Sequence, residues 1–207
     1  MKNHVFVLSA AIVLLTAVLG FGQAQFVGPH LKFDMVRSAA AQNGGAQCAP
    51  NVSGKVTITP KDGVERMKVD VSGLPPNQEF DFFVIQVPNT PFGLAWYQGD
   101  IKTDDEGNGS QTFLGRFNIE TFIVAQGSAA APVVHNDQPF PDAAANPPTE
   151  PVHTFHLGLW FGSPEAAQAA GCPATVTRFN GEHNAGIQVL STRNFANDEG
   201  PLRLLVP

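Results

Sequence analysis

The chain has 207 residues, 43% hydrophobic and only 14% charged, with 20 glycines and 17 prolines. That length suits one domain, and the apolar fraction is too high for a wholly disordered chain. Eighteen acidic and twelve basic residues give a net charge of −6 with no basic run, which argues against nucleic acid or an anionic membrane surface as partner, because phosphate binding needs clustered Lys and Arg.

At the N-terminus Lys2 precedes an apolar run from Val5 to Phe21, broken only by Ser9 and Thr16. Gly22-Gln23-Ala24 then sets small residues where a signal peptidase reads them. The pattern predicts a signal peptide over residues 1–24 and one domain over 25–207, secreted to the periplasm or beyond, with no membrane span after cleavage. A retained anchor is the competing reading, since the run is at the lower edge of a spanning helix. Cys48 and Cys172 are the only cysteines. In an oxidising compartment they predict one disulfide, and neither has the CxxC spacing of a metal or redox pair.

Period-two alternation then dominates. Val56-Thr57-Ile58-Thr59 and Arg66 to Val71 read as two strands joined by the turn Lys61-Asp62-Gly63, with Met67, Val69 and Val71 on the buried face. Gly73-Leu74-Pro75-Pro76-Asn77 ends the second strand, because proline removes ladder donors. Phe80 to Val87 is apolar on both faces and reads as a central strand. Leu94 to Thr103 and Ser110 to Phe117 flank the acidic turn Asp104 to Gly109, and Ile119 to Val124 is a further short candidate. The segment Gly127 to Pro151 has six prolines and no periodicity, which predicts a long irregular loop. His153 to Phe161 is expected as one strand with Phe155, Leu157, Leu159 and Phe161 on one face. One helix is expected, with Ser163 as N-cap, Pro164 opening it and Gly171 ending it. Ile187 to Leu190 and Leu202 to Val206 complete the strands. The fold class is all-β: an antiparallel sandwich, immunoglobulin-like or Greek-key, with one short helix and a long Pro/Ala-rich loop.

No cofactor or catalytic motif stands out: G-x-S-x-G, H-E-x-x-H and a Gly-rich phosphate loop are all missing from the sequence. The densest polar stretch is Arg178 to Gly186, where Arg178, Asn180, Glu182, His183 and Asn184 form a candidate ligand-binding loop. Its competing reading is a loop whose side chains satisfy its own backbone. His135, His153, His156 and His183 are candidate copper or zinc ligands, although residues three apart on a regular strand face opposite ways unless a bulge intervenes. Trp96, Tyr97 and Trp160 offer a sugar-binding platform or simply core aromatics. The acidic turn Asp104-Asp105-Glu106 lacks EF-hand spacing and reads as a solvated hairpin.

The stretch Phe179 to Leu190, with Asn194-Phe195, Gly200-Pro201-Leu202, Cys172-Pro173 and the turn Val71 to Pro75, resembles a group of exported bacterial β-sandwich proteins with no assigned activity. That resemblance implies the fold and carries over no site residues. The turn Gly73-Leu74-Pro75 before an aromatic strand also resembles copper-zinc superoxide dismutase, whose paired His-x-His is replaced here by Phe82-Phe83-Val84. The leading expectation is a secreted, non-enzymatic binding or structural protein of the cell envelope or extracellular space. An exported copper or zinc protein and a hydrolase with a dispersed site are the alternatives.

Overall fold

The computed structural model describes residues 24–123, 133–135, 151–178 and 183–207. The expected signal, apart from Ala24, and most of the 127–151 segment lie outside the described residues. In chain order the elements are β1 (Gln25–Val27), β2 (His30–Arg37), α1 (Ala39–Asn43), β3 (Ser53–Lys61), β4 (Val64–Ser72), β5 (Glu79–Ile85), β6 (Ala95–Lys102), β7 (Gly109–Gly115), β8 (Phe122–Ile123), β9 (Val152–His153), β10 (His156–Phe161), α2 (Pro164–Ala169), β11 (Thr177–Arg178), β12 (Asn184–Ala185) and β13 (Gln188–Ser191), followed by a 3-10 turn at Pro201–Leu204. No helix among the described residues is long and apolar enough to cross a membrane.

Alternation decides which strands pair and which faces are buried. Val56 and Ile58 of β3 and Met67 and Val69 of β4 are fully buried, while Lys55, Arg66 and Lys68 point to solvent. Nine strands form one antiparallel sheet in the order β6-β5-β10-β13-β2-β3-β4-β7, with β1 beside β2. The sheet folds over on itself. Its two halves meet on one side where β13 pairs with β2 through Leu190–Arg37 and Ser191–Val36. On the other side β6 and β7 approach through a bridge between Thr103 and Gly109. The spatial order β10-β5-β6-β7 is that of a Greek key, the second of the two sandwich types expected. Between the halves lies one core, in which Phe82 of β5 stacks on Phe113 of β7 at 5.1 Å.

Several polar anchors fix the connections. Glu65 is buried and accepts hydrogen bonds from the Phe117 N–H at 2.7 Å and from Asn118 Nδ2 at 2.8 Å, which pins the turn after β7. Asp104 Oδ1 accepts from the Glu106 and Asn108 N–H groups, so the acidic hairpin closes on its own backbone. Gly107 has φ +79° and faces the Leu74 carbonyl so closely that a Cβ would stand 2.0 Å from it. Only glycine fits there.

The helix after Gly162 forms as its sequence predicts. Ser163 Oγ accepts from the Ala166 N–H, Pro164 opens the first turn and Glu165 lies at the positive end of the dipole. Among the differences from expectation, three bear on the connections. A second helix, α1, is capped by Ser38, whose Oγ accepts from the Ala41 N–H and whose hydroxyl donates to the Gln188 carbonyl at 2.6 Å. The His153–Phe161 run breaks into β9 and β10, although Phe155, Leu157, Leu159 and Phe161 do all enter the core. Finally, Leu202 to Val206 is not a strand. Pro201 starts a 3-10 turn whose Leu202 N–H donates to the Phe155 carbonyl, and a Cβ at Gly200 would stand 2.4 Å from that oxygen.

Cys48 and Cys172 form the disulfide expected of them, across a sequence separation of 124. It ties the segment after α1 to the end of α2. Beside it the Arg37 guanidinium donates to the carbonyls of Ala41, Gly45 and Cys48 at 2.7 to 2.9 Å, gathering that segment around one side chain. Loop-closure entropy predicts that the bridge contributes somewhat under about 5 kcal/mol. Replacing both cysteines with Ala should therefore lower urea-unfolding stability by roughly 2–5 kcal/mol, with native far-UV dichroism retained at low temperature. A loss below about 1 kcal/mol would show that Arg37 and the helix caps hold the corner alone.

Candidate functional site

The chemistry gathers on the outer face of β6, β5, β10 and β13. In β5, Phe80, Phe82 and Val84 enter the core, so Asp81, Phe83 and Ile85 must point outward. In β10, Leu157, Leu159 and Phe161 enter the core, leaving His156, Gly158 and Trp160 outside. Strand register then arranges these side chains in rows. The first row is Asp100, Asp81, Trp160 and Gln188; the second is Tyr97, Phe83, Gly158 and Ser191; the third is Ala95, Ile85 and His156. Two irregularities make the rows possible. The register slips between Phe82 and Phe83 on the β6 side, and between Leu159 and Trp160 on the β13 side. Tyr97 and Asp100, and likewise Gln188 and Ser191, thereby share a face although each pair is three residues apart.

Gly158 leaves a gap that its neighbours fill. A Cβ there would stand 2.3 Å from Trp160 Cζ3 and 2.8 Å from Gln188 Nε2, so both side chains lean over the glycine. The Trp160 ring makes edge contacts with Phe83 at 5.2 Å and Phe92 at 5.1 Å. Together with Ile85 and Ala185 they form a second apolar cluster outside the main core. Ala185 belongs to β12, which pairs with β11 in a two-stranded ribbon. That ribbon crosses the first row, with His183 Nε2 3.4 Å from Asp81 Oδ2 and Ala185 packed in the Trp160 cluster.

Electrostatics mark the first row as unusual. Asp81 is buried at 2% exposure, and loss of water pushes its carboxyl up to about 6. The His183 ring opposes that rise and the neighbouring Asp100 adds to it. The Tyr97 hydroxyl donates to Asp100 Oδ1, and burial followed by that carboxylate holds the phenol well above its usual range. At the far end, Trp160 Nε1, Gln188 Nε2 and Ser191 Oγ are buried with no hydrogen-bond partner among the described residues. Their residues are 3%, 2% and 0% exposed. A buried donor without an acceptor costs free energy, and three at adjacent positions are unusual in a native interior.

Of the residues expected at a binding loop, His183 reaches Asp81, while Arg178 and Asn184 face each other in the exposed β11–β12 ribbon. Asn180 and Glu182 lie outside the described residues. The four candidate metal ligands fall in two places. His135 and His153 both contact the Phe155 ring, at 5.0 and 5.2 Å, and His156 is buried. The His156 Nε2–H donates to the Ala196 and Asn197 carbonyls, and Nδ1 accepts from Thr192, so both ring nitrogens are engaged. Burial lowers that imidazole to about 4 and keeps it neutral. His183 stands with Asp81, two rows away. Among the described residues no group of three or more His, Cys, Asp or Glu is placed to hold a metal ion. The aromatic platform also divides: Trp96 packs against the main core, Trp160 is buried, and Tyr97 is exposed at the rim of the site.

Asp81, Asp100, Gln188 and Ser191 were not expected as site residues. The one legible signal was Asp81, a lone charge inside the apolar run Phe80 to Val87. No family model matches the chain, and no curated protein matches it.

Two outcomes follow from this geometry. Gly158→Ala should displace the Trp160 indole, costing about 1–3 kcal/mol and shifting tryptophan emission, whereas an unchanged spectrum would place the indole elsewhere. Asp81 holds its proton to about pH 6 when folded, against 3.8 ordinarily. Its burial therefore favours folding at acid pH, and that contribution declines as pH rises from about 4 through about 6. The always-neutral Asp81→Asn should gain stability relative to wild type between about pH 4 and about pH 8, by roughly 1–3 kcal/mol in urea unfolding. An equal difference at both pH values would mean that Asp81 ionises normally.

Proposed function

We propose that this protein is an exported, non-enzymatic binding module of the cell envelope or extracellular space, and that its ligand sits at Asp81, Asp100, Tyr97 and His183. The observation that carries the reading is the buried carboxyl of Asp81 beside Asp100 on this sheet face, with a chain-distant ribbon bringing His183 to it. Burying a carboxyl beside a second one is costly to the fold, and carboxyls perturbed in this way gather at functional sites. Export is supported by the N-terminal signal pattern and by the Cys48–Cys172 bridge, a bond that persists in oxidising compartments. The rim of the site offers Tyr97, Asp100 and His183 at partial exposure, so a ligand can approach from solvent.

Binding would use the rigid scaffold directly. The Greek-key core fixes β5 and β6, the rows fix Asp81 beside Asp100, and the Tyr97 hydroxyl holds the Asp100 carboxylate in one orientation. The test is co-sedimentation of the chain from residue 25 onward with isolated cell envelopes of the producing organism. Wild type should be retained. The double variant Asp100→Asn, Tyr97→Ala should lose most retention while its stability changes by no more than about 1 kcal/mol, because both side chains are partly exposed. Equal retention of wild type and variant would sink the reading, as would failure of the wild type to be retained at all.

A further inference from the structure

We infer that the ligand of this site is a neutral carbohydrate, an assignment that rests on the binding-module reading above and adds the chemical class. The row from Asp100 to Gln188 is asymmetric in its hydrogen-bonding character. One end carries two carboxyl groups, which accept. The other end carries the Trp160 indole N–H, the Gln188 Nε2 and the Ser191 hydroxyl, all buried, without a partner among the described residues, and able to donate. Gln188 Nε2 and the carbon edge of the Trp160 ring lean over Gly158, and Ser191 lies directly across from that glycine. The indole N–H points away from it on the same face, so the donors line one end of the face. Aromatic rings of Phe83 and Tyr97, with centroids 5.6 Å apart, stand beside the two carboxyls on the same strands, one row along.

Each simpler ligand class leaves part of this arrangement idle. A cation would suit Asp81 and Asp100 but offers nothing to three donors. An anion would suit the donors but is repelled by the two carboxyls. An apolar ligand would satisfy neither. A sugar ring has hydroxyls that donate to carboxylates and accept from N–H groups, and C–H faces that lie against aromatic rings. In this arrangement vicinal hydroxyls meet Asp81 and Asp100, the C–H face meets Tyr97 and Phe83, and a ring or linkage oxygen accepts from the buried donors. Ala185 packs against Trp160 and His183 against Asp81, so the donors are reached when these two residues move off the face.

The experiment is calorimetric titration of the chain from residue 25 onward with neutral gluco-, galacto-, manno- and N-acetylglucosamine oligosaccharides. Ethylammonium and acetate serve as non-sugar probes, and every compound is also tested for release of the protein from envelopes. At least one oligosaccharide should bind and release the protein, and Asp100→Asn should weaken it by about tenfold or more. Ser191→Ala and Gln188→Met give the sharper readout. Removing a buried group that has no partner leaves stability unchanged or raised. A ligand role requires that affinity fall several-fold in the same variants. Release by ethylammonium or acetate but by no oligosaccharide overturns the assignment. So does envelope retention that depends on Asp100 yet resists every oligosaccharide, a result that leaves the binding module standing. Retention indifferent to Asp100 and Tyr97 would instead remove the reading beneath it.

Discussion

Packing of Phe80, Phe82, Leu157, Leu159 and Phe161 between the two halves of the sheet dictates what β5 and β10 present outside. Side chains alternate along a strand, so each aromatic driven inward pushes its neighbour outward. Asp81, Phe83 and Trp160 face away from the core because the large apolar groups beside them fill it. The core also makes the location of Asp81 rigid, since β5 is hydrogen-bonded on both edges, to β6 and to β10. A carboxyl on such a strand cannot swing to water at little cost. It must be solvated by neighbours, and the neighbours supplied are His183, Asp100 and, through Asp100, the Tyr97 hydroxyl.

The far corner of the molecule serves the same arrangement. Ser38 joins α1 to β13 through the Gln188 carbonyl, and Arg37 pairs with Leu190 while its guanidinium collects three carbonyls near Cys48. The disulfide fastens that corner to the end of α2. From there the chain passes through β11 to the ribbon that crosses the first row, then enters β13. Both ends of the excursion carrying His183 are thus held, by the bridge on one side and by the sheet on the other.

Much of the sheet was legible because burial on one face writes a period of two into the sequence, as in Arg66 to Val71. The α2 cap was legible for a local reason, since Ser163 and Pro164 act within one turn. No strand was expected before Val56, although Leu31, Phe33 and Met35 of β2 alternate with Lys32 and Asp34 and are buried. That omission concerns a signal that was present. The α1 helix is different: Ala39 to Asn43 is a single short turn stabilised by Ser38 and the distant Gln188 carbonyl, which no local pattern reveals. Leu202 to Val206 has strand-like composition, yet the Phe155 carbonyl takes the Leu202 N–H and Gly200 is wedged beneath it. At the site, the loop bearing His183 was recognisable by polar density. Its partners Asp81, Asp100, Gln188 and Ser191 come together only through register across four strands, a long-range property that spacing along the chain does not encode.

The two slips of register at the flanks of this face carry a consequence for how its sequence can change. Each one seats an i and an i+3 side chain on the same surface, Tyr97 with Asp100 on one flank and Gln188 with Ser191 on the other. Substitutions at these positions alter one group at a time. Deleting the extra residue at either slip, for example Gln98 or Val189, would restore regular pleating and leave the pair at i and i+2, still on one face. Each slip is therefore a spare residue: β6 or β13 can lose one residue there and keep its outer pair, whereas a residue lost elsewhere in either strand would invert the pleat beyond it.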